Sequence, residues 1–200
     1  MHHCLPRWHH RIAIVAVTAL TFLLAFPLCA AELQIGGATT SITPDEPVAI
    51  SGQMHTRIAR TVESAATATA LALESRDGDK SLDQAILISC DLVAIREGVL
   101  DMVRERVKER LPEFDVNKLV MSATHTHTAP VMREGTYEIP AEGVMQPTAY
   151  VAFLADRVAD IAVQAWQSRG TGSVGWGLGH AIVAQNRRST YADGTAQMYG

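Results

Sequence analysis

Two imidazoles one residue apart, His125 and His127, lie in the stretch Ser122-Ala123-Thr124-His125-Thr126-His127-Thr128-Ala129-Pro130. Imidazole is the commonest side-chain ligand for zinc. On an extended chain, residues i and i+2 point to the same side, so both rings could reach one ion. The apolar run Leu119-Val120-Met121 reads as a buried strand leading into the stretch, and Pro130 ends it. The surrounding threonines also supply a second reading, in which hydroxyls satisfy a polar strand end and no metal is involved.

The other candidates are single residues. Asp91 follows the apolar run ending at Cys90. It is either a strand-ending aspartate or a carboxylate that orients a histidine. Arg187 and Arg188 follow a strand-like run and form either a solvated basic pair or a clamp on an oxygen. His55 and His180 are isolated and read as ordinary histidines, and Cys90 reads as a structural thiol. No nucleophile-elbow, phosphate-loop or dinucleotide fingerprint is present.

The elements that must position these residues begin after a leader. Arg7 and Arg11 precede an apolar run, Ile12 to Leu28, that ends in Cys29-Ala30-Ala31. Residues 1–31 therefore read as a signal peptide, and the chain is expected to be secreted or periplasmic. Removing them leaves 15 basic residues (17 less Arg7 and Arg11) against 21 acidic ones, a formal charge of −6. A mildly acidic chain without a basic run argues against nucleic acid as a partner. Cys90 becomes the single remaining cysteine, so an ordinary core rather than a disulfide must hold the fold.

From Leu33 to Ile42 the pattern predicts a first strand, closed by Thr43-Pro44-Asp45-Glu46-Pro47. Ala66–Leu73 and Ala85–Cys90 predict a hairpin across Arg76-Asp77-Gly78-Asp79-Lys80. Val99, Leu100, Val103, Val107 and Leu111 recur at helical spacing, and Pro112 stops that helix. Strand, helix and strand suggest a crossover whose strand ends face a crevice. The irregular stretch Val131–Pro147 reads as a lid or rim, Thr148–Trp166 as a second amphipathic helix, and Val174–Val183 as a glycine-broken strand. The expected class is α/β, a mixed sheet with crossover helices. With Tyr199-Gly200 following a turn signal and no closing element, residues 32–200 are expected to be the N-terminal part of a larger catalytic domain.

Ser122 to Pro130 resembles the Ser-Ala-Thr-His-Thr-His-Ser-Gly-Pro segment of the neutral/alkaline (non-lysosomal) ceramidases. Three other segments agree in order: Ile35-Gly36-Gly37 through Ser41-Ile42-Thr43-Pro44, Ala66 to Asp91, and Asn186-Arg187-Arg188-Ser189-Thr190-Tyr191. The resemblance implies a zinc-dependent amidase of mixed α/β architecture acting on an N-acyl sphingoid. Zinc would lower the pKa of bound water and produce the hydroxide that attacks the amide. By that pattern His125 is the zinc ligand, His127 a catalytic neighbour suited to oxyanion contact or proton transfer, and Arg188 a substrate-side arginine. The family's other ligands come from later segments. The implied partner is a ceramide-like N-acyl lipid, with peripheral membrane contact as the route to it. Thr128-Ala129 in place of Ser-Gly, and Val131-Met132 in place of glycines, bear on the substrate more than on the metal. Two alternatives stay open: a non-catalytic exported binding protein on the same scaffold, and a metal-dependent hydrolase of another ester or amide.

Overall fold

The computed structural model describes residues 31–183 and 186–198; the leader reading therefore lies outside the described residues apart from Ala31. A five-stranded mixed sheet forms the frame. Its strands are β1 (Glu32–Ser41), β4 (Thr67–Asp77), β5 (Lys80–Cys90), β6 (Leu119–Ala123) and β7 (Gly170–Thr171), in the order β6-β5-β4-β1-β7. Two-residue strands β2 (Val48–Ala49) and β3 (Ile58–Ala59) pair separately, as do β8 (Arg188–Thr190) and β9 (Ala196–Met198). Between β5 and β6 runs helix α1 (Val99–Arg110), and α2 (Pro147–Gln167) precedes β7. The α/β class is thus as expected.

β4 and β5 form the predicted hairpin, antiparallel and turned at Gly78, whose φ of 57° a residue with a Cβ seldom adopts. β5 and β6 run parallel, as a strand–helix–strand crossover requires. Alternation decides which face is covered. Ala68, Ala70, Ala72, Ile86, Ile88, Cys90 and Leu119 are buried, in one cluster with Val103 and Val107 of α1 and Leu154, Val158 and Ile161 of α2. Each fully buried valine, leucine or isoleucine contributes about 1.5–3 kcal/mol. The alternate positions Leu71, Leu87 and Val120 lie in register across β4, β5 and β6 and remain exposed.

Alanines on β4 and glycine on β1 let α2 come close. A Cβ on Gly36 would lie 2.0 Å from the carbonyl oxygen of Ala165. At the start of α2, Pro147 occupies the first turn and Gln146 makes no side-chain cap. Glu134 caps it instead, accepting from Thr148 N (3.1 Å) and Thr148 Oγ1 (2.8 Å). That bond also fixes part of the irregular stretch before the helix. Arg106–Asp156 and Arg110–Asp160 tie α1 to α2 at 2.6 Å, but at exposed positions such pairs contribute about 0–1 kcal/mol each.

One predicted element is absent. Val174–Val183 forms no strand: Trp176, Leu178 and Ile182 are 93, 88 and 92 % exposed. β7 pairs with β1 only at Gly170 and Thr171, and beyond it no neighbouring strand among the described residues supplies ladder partners. A period-two pattern needs such a partner to become a strand.

Candidate active site

The parallel ends of β5 and β6 build the site. Asp91 N–H donates to Thr67 O (2.8 Å), and the Asp91 carboxylate accepts from Thr67 N and Thr67 Oγ1 (both 2.9 Å) and from Thr124 Oγ1 (3.2 Å). The Thr67 backbone and hydroxyl bonds hold the Asp91 carboxyl below its ordinary pKa against the opposing effect of burial. Asp91 therefore ties the strand ends together; the alternative in which it orients a histidine directly is not what the structure shows. Cys90 is fully buried, and burial followed by the charge of Asp91 pushes its thiol up to about 12, consistent with a structural role.

His125 is oriented by backbone. Thr124 N–H donates to Cys90 O (3.0 Å) and His125 N–H to Leu92 O (2.9 Å), which draws the chain away from β6 just after Ala123. His125 then takes φ 66°, the single left-handed non-glycine residue among those described. Such a conformation costs on the order of 1–3 kcal/mol and persists where its surroundings enforce it. This corrects the extended-strand geometry expected from His-x-His. The two rings are not neighbours on one strand face, because the strand has ended and the chain has turned between them.

They meet nonetheless. His125 Nε2 and His127 Nε2 are 3.4 Å apart, with ring centroids at 5.0 Å and planes at 78°. His125 Nδ1 lies 2.7 Å from Val93 O, and since a carbonyl can only accept, Nδ1 carries a proton; in the neutral ring Nε2 then presents a lone pair. A carbonyl on the far nitrogen is the usual support of a metal-bound histidine. Donor type and tautomer of His125 suit a zinc ligand. Among the described residues no group of three or more histidine, cysteine or carboxylate side chains is placed to hold a metal.

The chain after His127 crosses to the β2 segment. Ser51 N–H donates to Ala129 O (2.9 Å) and Val131 N–H to Ala49 O (2.8 Å). Gly52 lies against the His127 ring, Arg57 Nη2 donates to His127 O (2.7 Å), and Tyr137 bridges Gly52 and Gln53. None of these three stands out in the sequence: they are isolated, and only the irregular stretch holding Tyr137 reads as a lid or rim. A cleft of about 280 Å³ opens beside Thr128 and Pro130, but neither histidine lines it.

Among the described residues no hydrogen bond or ion pair links Arg188 to the histidines. It is exposed on β8, whose partner is β9, and its backbone N–H donates to Asn186 Oδ1 (2.9 Å). His55 and His180 are exposed, and neither joins the pair in a three-histidine cluster among the described residues.

No protein-family model matches the chain, and no curated protein matches it in sequence. Solved structures do match in shape. The neutral ceramidase from Pseudomonas aeruginosa superposes with a TM-score of 0.58 at 18 % identity, over 71 % of this chain and 22 % of that one. A ceramidase complexed with C2 superposes at 0.56 and 19 %, with the same coverage. The fold is ceramidase-like. At this identity the likeness is one of fold, and the chain spans 22 % of the length of those ceramidases. Within the ceramidase-like fold, the crossover places the His125/His127 segment at the ends of β5 and β6.

Proposed function

We propose that this chain is the N-terminal, histidine-bearing part of an exported zinc-dependent amidohydrolase that cleaves the amide of an N-acylsphingosine or a related N-acyl lipid. The observation carrying this reading is the His125/His127 pair, 3.4 Å apart with His125 Nδ1 anchored to Val93 O, on a ceramidase-like fold. The 22 % coverage supports a larger catalytic unit around it.

His125 Nε2 would hold the ion, together with donors from the remainder of that unit. When bound, zinc supplies Lewis acidity that activates water and polarises a carbonyl. The chain's own residues do the rest. Val93 O keeps His125 in the tautomer whose lone pair faces the site. His127 lacks a comparable anchor among the described residues; its ring bonds only to His125. With His125 Nε2 engaged elsewhere, His127 Nε2–H becomes a free donor beside it. That donor suits the carbonyl oxygen of the scissile amide, where negative charge develops, or the leaving nitrogen. Arg188 is proposed as a substrate-side arginine; its family position supports this, and it requires the β8–β9 hairpin to lie near the histidines in the complete unit.

The test is an assay of the full-length protein on an N-acylsphingosine, with and without a chelator. Fatty-acid release that disappears with chelator and returns with zinc is expected. Chelator-insensitive release would overturn the metal mechanism, and no release from any N-acyl lipid would overturn the substrate class.

A further inference from the structure

Gly52 has φ 99°, and a Cβ there would lie 2.4 Å from His127 Cγ and 2.6 Å from His127 Cβ. The loop backbone is therefore the surface on which the His127 imidazole rests. Two side chains hold that loop. Arg57 Nη2 donates to His127 O at 2.7 Å and to Ser51 O at 3.2 Å, fastening the residue before Gly52 to the carbonyl of the histidine itself. Tyr137 is 85 residues from Gly52 in sequence. Its hydroxyl accepts from Gly52 N–H at 3.2 Å and donates to Gln53 O at 2.8 Å. One hydroxyl thus satisfies a donor and an acceptor on either side of the same peptide, and latches the rim to the loop.

We propose that Arg57 and Tyr137 are positioning residues: through the Gly52 backbone they hold the His127 ring against His125. His127 needs this support because its ring has no carbonyl anchor among the described residues, unlike His125. Neither residue touches the reacting atoms in this arrangement. Their effect on catalysis rests on the reading of His127 given above, but their effect on the ring pair does not.

Two measurements separate these points. In the full-length protein with labelled histidines, nuclear Overhauser contact between the His125 and His127 rings reports the pair directly. Tyr137→Phe and Arg57→Met are expected to weaken that contact several-fold while amide spectra elsewhere are preserved, and Arg57→Lys is expected to restore it in part. Tyr137→Phe removes a single oxygen, so it serves if Arg57→Met fails to fold. A ring contact as strong in Tyr137→Phe as in the parent overturns the proposal, whatever the activity. In the full-length enzyme the same variants are expected to lower kcat by about ten- to a hundred-fold, the scale of a misplaced catalytic group, with KM and zinc content unchanged. A weakened ring contact with unchanged kcat overturns the catalytic reading of His127 and leaves the positioning role standing. If the parent enzyme hydrolyses no N-acyl lipid while the variants lose the ring contact, the functional reading fails and the positioning role stands.

Discussion

His125→Ala in the full-length protein is expected to abolish amide hydrolysis and zinc retention together while leaving the fold intact. Nε2 of this side chain is the proposed ligand nitrogen, and its other nitrogen is committed to Val93 O. Losing merely a residue that supports a metal ligand costs about 10–100-fold, so losing the ligand itself exceeds that range. The stability change should be small, within about 1 kcal/mol. Alanine loses the Nδ1 hydrogen bond, worth roughly 0.5–1.5 kcal/mol, yet the ring is exposed and buries little. His125→Gly sharpens the point, because glycine accepts φ 66° without strain. It should be at least as stable as His125→Ala and equally inactive. Zinc content by elemental analysis and unfolding by urea distinguish the outcomes: full zinc stoichiometry in His125→Ala would show the ligand assignment to be wrong.

The second large effect is structural. Gly36→Ala should destabilise the chain by about 3 kcal/mol or more, at the upper end of overpacking effects. The added Cβ would meet Ala165 O at 2.0 Å and Arg169 N at 2.9 Å. Both are backbone atoms, so no side chain can swing aside. Helix α2 would have to lift from the alanine face of β4, opening the layer that contains Leu154, Val158 and Ile161. The adjacent Gly37→Ala is the control. Its Cβ would find only Ala70 O at 3.7 Å, an ordinary contact, and replacing glycine inside a strand gains roughly 0.5–1 kcal/mol in favourable cases. The urea midpoint should therefore fall sharply for Gly36→Ala and hold or rise for Gly37→Ala. Equal midpoints would show that the helix does not sit this close.

Elements whose own residues carry a period were legible in the sequence. The β4–β5 hairpin has alternation and a turn, while α1 and α2 have apolar stripes. The parallel crossover followed from strand, helix and strand in order. Val174–Val183 shows the limit of this reasoning, since alternation names a face to be buried but not the strand that will lie beside it. At the site, the histidines announced themselves by type and spacing, but the geometry that joins them did not. Left-handed φ at His125 is imposed by carbonyls of Cys90 and Leu92 on the neighbouring strand end, and no residue pattern around His125 encodes it. The partners of His127 were hidden for a related reason. Gly52, Arg57 and Tyr137 act by contact across roughly 70 to 85 residues of chain. A lone glycine, arginine and tyrosine carry no periodic signal. Asp91 was visible as a strand-end carboxylate, yet only its partners Thr67 and Thr124 show that it braces the strand ends.

The proposed zinc ion is faced by His125 Nε2 at the ends of β5 and β6. Anomalous diffraction at the zinc edge, from crystals of the full-length protein grown with zinc, tests it most directly. A peak is expected about 2.0–2.1 Å from His125 Nε2, with Nδ1 still bonded to Val93 O and the His127 ring alongside. A peak bound through His125 Nδ1, or zinc held only away from this histidine, would contradict it.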